Sequence, residues 1–316
     1  MSSILSLNAF AWRLGVPLDR LKAIGHHIGA HSAHVPLQDK KRDKVRHLWV
    51  SDAELMEVQR RVNSRVLDQF RVSEAVHGSI RGRSSASNAS QHLGQPCVVT
   101  LDVKDFFTSV RQYIVYRMFR HELEMGRDVA RLLTRLTTFR SYLPQGAPTS
   151  PAVANLVLAG PFDEPLAIEA RKLGVTFTRY LDDIALSGPD PRLLINAVPL
   201  LLSKRRLTIW RNTGRGRRKP KLKIMMGNKA QEVTGLIVNA KSGPSVSQHR
   251  RDRIRAAIFG LRDLGDDGHR RAAIDSIRGG VAHVQHFNPG AARRLGRYLD
   301  AKVLDPEVGS QAGLER

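Results

Sequence analysis

Cysteine is almost absent from this chain, which has one cysteine, Cys97, among 316 residues. A single thiol excludes an intramolecular disulfide and any metal cluster held by several cysteines. Long apolar runs are also missing: none approaches the roughly 20 residues that span a bilayer. Residues 1–11 lack the basic start and long apolar middle of a signal peptide. We therefore expect a cytoplasmic protein with no membrane partner.

Acidic residues are scarce. The sequence has 29 Asp and Glu against 51 Lys and Arg, with a formal net charge of +22, and residues 191–230 contain no acid at all. A positive excess of this size indicates a polyanionic partner, since phosphate contacts supply most of the non-specific affinity for nucleic acids. An anionic membrane surface is the alternative, but the clustering of the basic residues favours nucleic acid.

Two of the few acids stand side by side in residues 176–188, T-F-T-R-Y-L-D-D-I-A-L-S-G. The pattern of apolar and β-branched residues predicts two short strands, with Asp182 and Asp183 in the turn between them. Adjacent carboxylates repel each other, so a shared cation would stabilise them. Because aspartate is also a common turn residue, this stretch alone leaves both explanations open.

An acid further upstream favours a cation site over an ordinary turn. An apolar run ending at Leu101 predicts a buried strand, and Asp102 follows at its end, where an ionised group is costly unless it is paired or bound to a metal. One acid at a strand end and two on a hairpin are typical of sites that hold two divalent ions for nucleotidyl transfer. Oxygen ligands without a histidine or cysteine cluster favour Mg²⁺. We predict that Asp102, Asp182 and Asp183 hold two Mg²⁺ ions.

Three stretches around these acids resemble the motifs of reverse transcriptases, in the same order and with matching spacing. Residues 101–107 (L-D-V-K-D-F-F) resemble motif A, residues 143–151 (L-P-Q-G-A-P-T-S-P) resemble motif B, and residues 180–183 (Y-L-D-D) resemble motif C. Residues 88–92 (N-A-S-Q-H) and 233–235 (V-T-G) are similar to two signatures of bacterial retron reverse transcriptases in particular. The resemblance covers most of the chain.

This resemblance implies an α+β fold with the right-hand shape of a polymerase. We expect N-terminal helices and fingers in residues 1–95, a palm with an antiparallel sheet and helices in residues 96–240, and a helical, basic thumb in residues 241–316. At Leu181 retron enzymes more often have alanine, a departure that leaves the predicted metal ligands in place.

The same resemblance implies an enzyme, an Mg²⁺-dependent RNA-directed DNA polymerase of the retron type. Such an enzyme copies part of a cognate structured non-coding RNA into branched, RNA-linked single-stranded DNA. The expected partners are therefore that RNA, the RNA–DNA duplex, dNTPs and an effector protein in phage defence. Two alternatives remain: a group II intron-like or other defence-associated reverse transcriptase, and a non-catalytic protein that binds structured RNA.

The resemblance also assigns residues to the incoming nucleotide. Phe107, five residues after Asp102, matches the family's aromatic steric gate, which excludes a 2′-hydroxyl and so disfavours an RNA polymerase. Its neighbour Phe106 is predicted to lie in the core. Gln145 and Gly146 are implied to contact the nucleotide and the templating base, with glycine permitting a close backbone approach.

Three basic residues are predicted to act on the triphosphate. Lys44 and Arg46 lie in a basic hairpin that resembles the fingers hairpin of the family, although a solvated charged turn would look the same. By its spacing from V-T-G, Lys221 matches the motif D lysine that can protonate the leaving pyrophosphate, and Lys223 is the fallback. Both lysines could equally bind only backbone phosphate.

A Gly-, Ser- and Arg-rich segment, residues 76–90, is predicted to contact RNA together with the two retron-like signatures. A segment of this composition is ordered either by RNA phosphates or by tight packing of the loop. For the histidine of the first signature, a purely structural role is the alternative. The predicted RNA-binding residues are Arg81, Arg83, Asn88, His92, Val233, Thr234 and Gly235.

Local signals predict the elements around these motifs. Two N-terminal helices should break near residues 15–17. Ser150 should cap a helix that begins at Pro151. Residues 233–239 should form one strand, and Ser247 should cap a C-terminal helix.

Overall fold

The computed structural model describes residues 4–39, 44–210, 221–264 and 268–304. Over these residues helices alternate with small antiparallel sheets, so the fold is α+β. The helices are α1 Leu7–Leu14, α2 Leu18–His26, α3 Ala53–Val62, α4 Ser85–Ser90, α5 Phe106–Ser109, α6 Gln112–Arg117, α7 Arg127–Thr137, α8 Ser150–Leu158, α9 Glu164–Lys172, α10 Ala197–Ser203, α11 Gln248–Phe259, α12 Gly268–Phe287 and α13 Pro289–Leu304. The strands are β1 Ser32–Asp39, β2 Lys44–Ser51, β3 Cys97–Asp102, β4 Thr176–Tyr180, β5 Asp183–Gly188, β6 Lys223–Met226, β7 Glu232–Val233 and β8 Leu236–Ile237.

The largest sheet has four strands in the order β4-β5-β3-β6, and its β4–β5 and β3–β5 pairs are antiparallel. β3 and β5 are buried over most of their length, as expected for central strands covered by helices. Cys97 begins β3 at 1% exposure, so it is a core residue, and burial raises the pKa of its thiol. β1 pairs with β2, and β7 pairs with β8, in two separate hairpins.

The chain divides into two compact units. The first comprises residues 1–88 and 96–225, and the second comprises residues 89–95 and 226–316. The four-stranded sheet, the N-terminal helices and the first hairpin thus belong chiefly to the first unit, which has one large apolar core.

The N-terminal helices break where the sequence predicts. Gly15 ends α1 in the left-handed conformation at φ 64, and Pro17 lies at the N-cap of α2. Glycine adopts this conformation without a steric penalty, and proline favours the start of a helix. Leu14 and Leu21 are fully buried and anchor the two helices to the main core.

The second unit is mainly the helices α11, α12 and α13. The Oγ of Ser247 accepts a hydrogen bond from the N–H of Arg250 at 3.3 Å, which confirms the predicted cap of α11. Ile258 and Val284 are fully buried between these helices. In the part of the chain that the structure describes, none of the helices has both the length and the apolar composition of a membrane crossing.

Two local predictions were wrong. The helix α8 begins at Ser150 rather than Pro151, and Thr149 is its N-cap residue. The Oγ of Ser150 caps nothing, because it donates instead to the carbonyl of Pro144 at 2.6 Å. Residues 233–239 do not form one strand, since the chain reverses after Val233 in the β7–β8 hairpin.

Candidate active site

The turn between β4 and β5 carries the two adjacent acids. Tyr180 pairs with Asp183 across the hairpin, so Leu181 and Asp182 form a two-residue loop. The turn therefore lies one residue earlier than predicted, and Asp183 is the first residue of β5. Leu181 has φ 56, a left-handed conformation that a leucine adopts only when its surroundings hold it there.

The end of β3 brings the third acid to this turn. Asp102 is the antiparallel partner of Asp183, and the Cα atoms of such partners lie about 4.5–5.5 Å apart. The N–H of Val103 donates to the carbonyl of Asp182 at 3.0 Å, and the N–H of Trp210 donates to the carbonyl of Asp102 at 3.0 Å. Backbone hydrogen bonds therefore hold three acids, distant in sequence, at one end of the sheet.

Lys221 contacts this group of acids. Its ammonium forms an ion pair with the carboxylate of Asp102, and the two side chains are 42% and 14% exposed. Lys223, the other lysine that the sequence offers for this position, is exposed in β6. Of the two, Lys221 is thus the one that the structure brings onto a carboxylate.

The pKa of Asp183 is raised to about 6, first by desolvation and then by the negative charges of Asp182 and Asp102. Lys221 and Lys223 oppose this rise. Because Asp183 as a residue is exposed to solvent, the close approach of three like charges is a sounder cause of the shift than burial. Two lysines leave the negative charge of the site incompletely balanced.

The donor chemistry of this group suits a divalent cation. Carboxylates are the hard oxygen ligands that Mg²⁺ prefers, and a cation would relieve the repulsion that raises the pKa of Asp183. Within the described ranges, however, no three histidine, cysteine, aspartate or glutamate side chains already form a cage for an ion. A cation would have to compete with Lys221 for the carboxylate of Asp102.

The two phenylalanines after Asp102 differ in exposure. Phe106 is 4% exposed and belongs to the core, as predicted, whereas Phe107 is only partly buried and packs against that core. Their ring centroids lie 5.3 Å apart. Asp105 precedes them in a left-handed conformation, at φ 45, which turns the chain from β3 into α5. Phe107 is therefore the ring of this pair that keeps an accessible surface.

The loop that contains Gln145 and Gly146 is attached to strand β2. The carbonyl of Gln145 accepts a hydrogen bond from the N–H of Trp49 at 2.7 Å. Gly146 has φ 114, and a Cβ atom there would lie 3.0 Å from the carbonyl oxygen of Trp49. The close backbone approach that glycine permits is therefore an approach to β2.

Lys44 and Arg46 lie in β2, opposite Asp39 and Leu37 of β1. The predicted basic hairpin is thus present as a pair of antiparallel strands. The side chains of Lys44 and Arg46, and residues 40–43, lie outside the described part of the structure.

Arg83 orders the Gly-, Ser- and Arg-rich segment from within. Its Nη1 donates to the carbonyls of Ser73, Glu74 and Val76 at 3.2, 2.9 and 2.5 Å. These contacts favour tight packing over RNA phosphates as the partner of this guanidinium. Arg81, by contrast, is exposed to solvent.

The two polar residues of the first retron-like signature are buried. Asn88 is 1% exposed and His92 is 0% exposed. The Oδ1 of Asn88 is buried without a hydrogen-bond partner in the structure. Burial of His92 favours the structural alternative for this histidine in the conformation described.

The second retron-like signature is the turn of the β7–β8 hairpin. Thr234 and Gly235 form its two-residue loop with φ 47 and 81, the signs of a type I′ turn. A β-branched threonine is strained in this conformation. Val233, the first residue of the signature, is fully buried.

Two hydrogen bonds attach the residues that follow the first signature to residues that flank this hairpin. The N–H of Gly94 donates to the carbonyl of Val238 at 2.8 Å. The Nε2 of Gln231 donates to the carbonyl of Gln95 at 2.9 Å. Residues 89–95 and the V-T-G turn therefore belong to the same compact unit.

Sequence reasoning missed a buried polar network beside the Leu181–Asp182 turn. We call it the Arg179 network, and it consists of Arg179, Asp163, Asn155 and Gly78. The sequence signal for it was an arginine inside a predicted strand and an aspartate at the end of the apolar stretch A-G-P-F-D, because a buried charge needs a partner. Only the folded chain shows which partner each charge has.

A family model described as reverse transcriptase (RNA-dependent DNA polymerase) matches residues 38–210, more than half of the chain. This range includes the three acids that meet at the sheet end.

Individual relatives match over a longer part of the chain. The chain is 32% identical to the retron Mx65 reverse transcriptase of Myxococcus xanthus, covering 90% of this chain and 72% of the relative. It is 31% identical to the retron Mx162 reverse transcriptase of the same organism, covering 93% of this chain and 66% of the relative. It is 27% identical to the retron Ec86 reverse transcriptase of Escherichia coli, covering 81% of this chain and 76% of the relative.

Proposed function

Because this chain belongs to the reverse transcriptase family and, within it, to the retron reverse transcriptases, we propose that Asp102, Asp182 and Asp183 catalyse its RNA-directed synthesis of DNA. The observation that carries this proposal is the strand register. Asp102 stands opposite Asp183, and Asp182 occupies the adjoining turn. Three carboxylates therefore face one reaction site.

These carboxylates would hold two Mg²⁺ ions. When bound, the ions supply activation of the primer hydroxyl and stabilisation of the leaving pyrophosphate. Lys221 is paired with Asp102 in this structure. Once released from that carboxylate, its ammonium would donate a proton to the pyrophosphate. The support for this role is the contact of Lys221 with Asp102.

The incoming dNTP would lie between motif A and the motif B loop. Phe107 would exclude a 2′-hydroxyl by its bulk, because its ring is the accessible one of the pair. Gln145 and Gly146 would contact the nucleotide and the templating base from a loop attached to β2. Lys44 and Arg46, which lie in β2, would bind the triphosphate.

The wider layout follows the same family. Residues 1–95 would form N-terminal helices and fingers, residues 96–240 a palm, and residues 241–316 a thumb. Exposed arginines of α13, among them Arg293, Arg294 and Arg297, support a thumb that binds the phosphates of an RNA–DNA duplex.

A cognate structured RNA would serve as template and primer in the cytoplasm. Arg81, which is exposed, and the Thr234–Gly235 turn are the proposed contacts with this RNA. Of the other predicted residues, Arg83 is bonded to three backbone carbonyls, and Asn88, His92 and Val233 are buried. Its copy would be RNA-linked single-stranded DNA, made for phage defence with an effector protein. Sequencing of the nucleic acid that co-purifies with the protein tests this part, and a random mixture of cellular RNAs would contradict it.

Primer extension on an RNA template tests the catalytic proposal. With Mg²⁺ and dNTPs, Asp182→Asn should lower the rate by at least about 1,000-fold, because it removes one of the carboxylates that would hold the ions. Asp190→Asn is the matched control, since Asp190 is paired with Arg192 away from this turn. Equal rates for wild type and Asp182→Asn would contradict the proposal.

Competition between dNTP and rNTP tests the gate. Phe107→Ala should raise the incorporation of ribonucleotides, because the smaller side chain leaves space for the 2′-hydroxyl. The ratio of kcat/KM for dNTP and rNTP measures this change. An unchanged ratio would remove Phe107 from the nucleotide pocket without affecting the assignment of the acids.

A further inference from the structure

The turn that carries Asp182 needs support from outside the hairpin. Leu181 has φ 56, a conformation that costs a non-glycine residue free energy and persists only when neighbouring groups hold it. Arg179 supplies one such group, because its Nη1 donates to the carbonyl of Leu181 at 3.1 Å. The strained residue is thus tied directly to a guanidinium.

Arg179 is itself held by the helical segment after motif B. Its Nε and Nη2 donate to the two carboxylate oxygens of Asp163 at 2.7 and 2.6 Å, and both side chains are 0% exposed. Its Nη1 also donates to the Oδ1 of Asn155 at 3.0 Å. Asn155 lies in α8, and Asp163 ends the π-helical turn Ala159–Asp163 that follows α8. One guanidinium therefore connects α8 to the turn.

Gly78 packs against the same turn. The Nδ2 of Asn155 donates to the carbonyl of Gly78 at 2.9 Å. A Cβ atom at Gly78 would lie only 2.5 Å from the backbone nitrogen of Leu181. The backbone of Arg179 is also paired, with its N–H on the carbonyl of Ala75 and its carbonyl on the N–H of His77. The loop of residues 75–78, like the guanidinium of Arg179, therefore encloses the Leu181–Asp182 turn.

A buried ion pair has no clear value for stability alone, since apolar side chains of similar volume often replace one without loss. Its geometry, in contrast, is restrictive, because a bidentate guanidinium accepts a carboxylate in one plane and one orientation. A network that joins α8 to a strained turn through such a pair restricts where the turn can lie.

We propose that the Arg179 network positions Asp182 relative to α8, the helix that directly follows the Gln145–Gly146 loop. Arg179, Asp163 and Asn155 are positioning residues, which act through the Leu181–Asp182 turn and keep the acids at one spacing from the nucleotide pocket. This inference rests on the proposed function for its effect on catalysis. The restraint of the Leu181–Asp182 turn by the network does not depend on the proposed function.

A charge-free replacement of the pair tests the inference. The double variant Arg179→Met with Asp163→Leu keeps the net charge and approximate volume but removes every hydrogen bond of the guanidinium. The matched control is Arg20→Met with Glu54→Leu, which removes another bidentate ion pair of the same unit, with side chains 58% and 35% exposed. Circular dichroism and thermal unfolding establish that each variant is folded.

Two readouts separate positioning from mere stability. Amide hydrogen exchange of residues 181–183, measured by mass spectrometry without metal, should become faster in the Arg179/Asp163 variant and stay unchanged in the control. In primer extension with Mg²⁺, kcat of the Arg179/Asp163 variant should fall about 100-fold, because a misplacement of about 1 Å has that effect on reacting groups. The KM for dNTP should change less than kcat.

A milder variant keeps the inference testable if the Arg179/Asp163 variant does not fold. Asn155→Leu removes the two hydrogen bonds of Asn155, to Arg179 and to Gly78, and keeps the ion pair. We therefore expect about a 10-fold fall in kcat and a smaller rise in exchange at residues 181–183. Unchanged exchange and unchanged kcat in a folded variant would overturn the proposal. Loss of the fold in both variants would assign the network to stability alone and overturn it as well.

The results that would contradict the proposed function differ from those that would contradict the role of the network. If Asp182→Asn were as active as wild type, the catalytic assignment would fall, whereas faster exchange at residues 181–183 would still support restraint of the turn. Normal exchange in the Arg179/Asp163 variant, with an inactive Asp182→Asn, would overturn the network and leave the assignment of the acids intact.

Discussion

Two ion pairs flank the hairpin that carries Asp182, and they differ in solvent access. The Arg179–Asp163 pair is 0% exposed on both sides and bidentate. In the Lys221–Asp102 pair, the lysine is 42% exposed and the aspartate 14%. Both pairs neutralise an acid in the same compact unit, yet solvent reaches only the second freely.

The difference in exposure separates a permanent contact from an exchangeable one. Removing one partner of a buried pair leaves an uncompensated charge, at a cost of about 3–5 kcal/mol, whereas an exposed pair contributes about 0–1 kcal/mol. Asp163, the acid that supports the turn, is thus buried with Arg179, and separating the two is costly. Asp102, which would have to release Lys221 to bind a cation, has a partner that can be exchanged at low cost.

Breaking the buried pair has the largest expected effect. Asp163→Asn leaves the guanidinium of Arg179 uncompensated and should lower the free energy of unfolding by about 3–5 kcal/mol. Lys221→Ala should lower it by no more than about 1 kcal/mol. Urea denaturation followed by circular dichroism measures both. Equal losses would mean that burial does not distinguish the two pairs.

Removing the exchangeable lysine should act on catalysis instead. Lys221→Ala should lower kcat by about 100-fold, because a general acid near the pyrophosphate contributes a factor of that order or more. Lys223→Ala is the matched control, two residues along the chain. Single-turnover primer extension with saturating dNTP gives both rates. A larger loss for Lys223→Ala would move the motif D assignment to that lysine.

Adding one methyl group at Gly78, in the loop beside the Arg179–Asp163 pair, tests how closely this loop packs on the turn. Gly78→Ala places a Cβ atom 2.5 Å from the backbone nitrogen of Leu181, so it should destabilise the fold by about 1–3 kcal/mol. Gly160→Ala is the control, because a Cβ atom there meets nothing within 4 Å. Thermal unfolding measures both variants. A neutral Gly78→Ala would show that the loop does not enclose the turn.

The smallest expected effect concerns the pH dependence of the exposed site. The pKa of Asp183 is raised from 3.8 to about 6, so the ionised carboxylate destabilises the metal-free fold above pH 6 and has no such effect below pH 4. Asp183→Asn should therefore raise stability at pH 8 by on the order of 1 kcal/mol, discounted for solvent exposure. The gain should disappear at pH 4.

Thermal unfolding in the presence of a chelator at pH 8 and pH 4 checks this. Added Mg²⁺ should stabilise the wild type at pH 8 more than at pH 5, because protonation of Asp183 competes with the cation. A destabilising Asp183→Asn at pH 8 would show that the lysines already balance the site.

Structural features that depend on a short stretch of sequence could be predicted. The N-terminal break at Gly15, the Ser247 cap and the core position of Phe106 each depend on one residue and its neighbours. Ser150 and residues 233–239 failed for the opposite reason. A serine hydroxyl that finds a distant carbonyl, and a threonine forced into the left-handed region, depend on contacts that no local pattern contains.

The sequence by itself determined which acids, lysines and aromatic residues are available and in what order, because chemistry and local backbone preference are carried by residue type. The tertiary structure alone decided which of them meet. Strand register placed Asp102 opposite Asp183, and burial joined Arg179 to Asp163. Both are long-range pairings, selected because the folded core admits a buried charge only beside its complement.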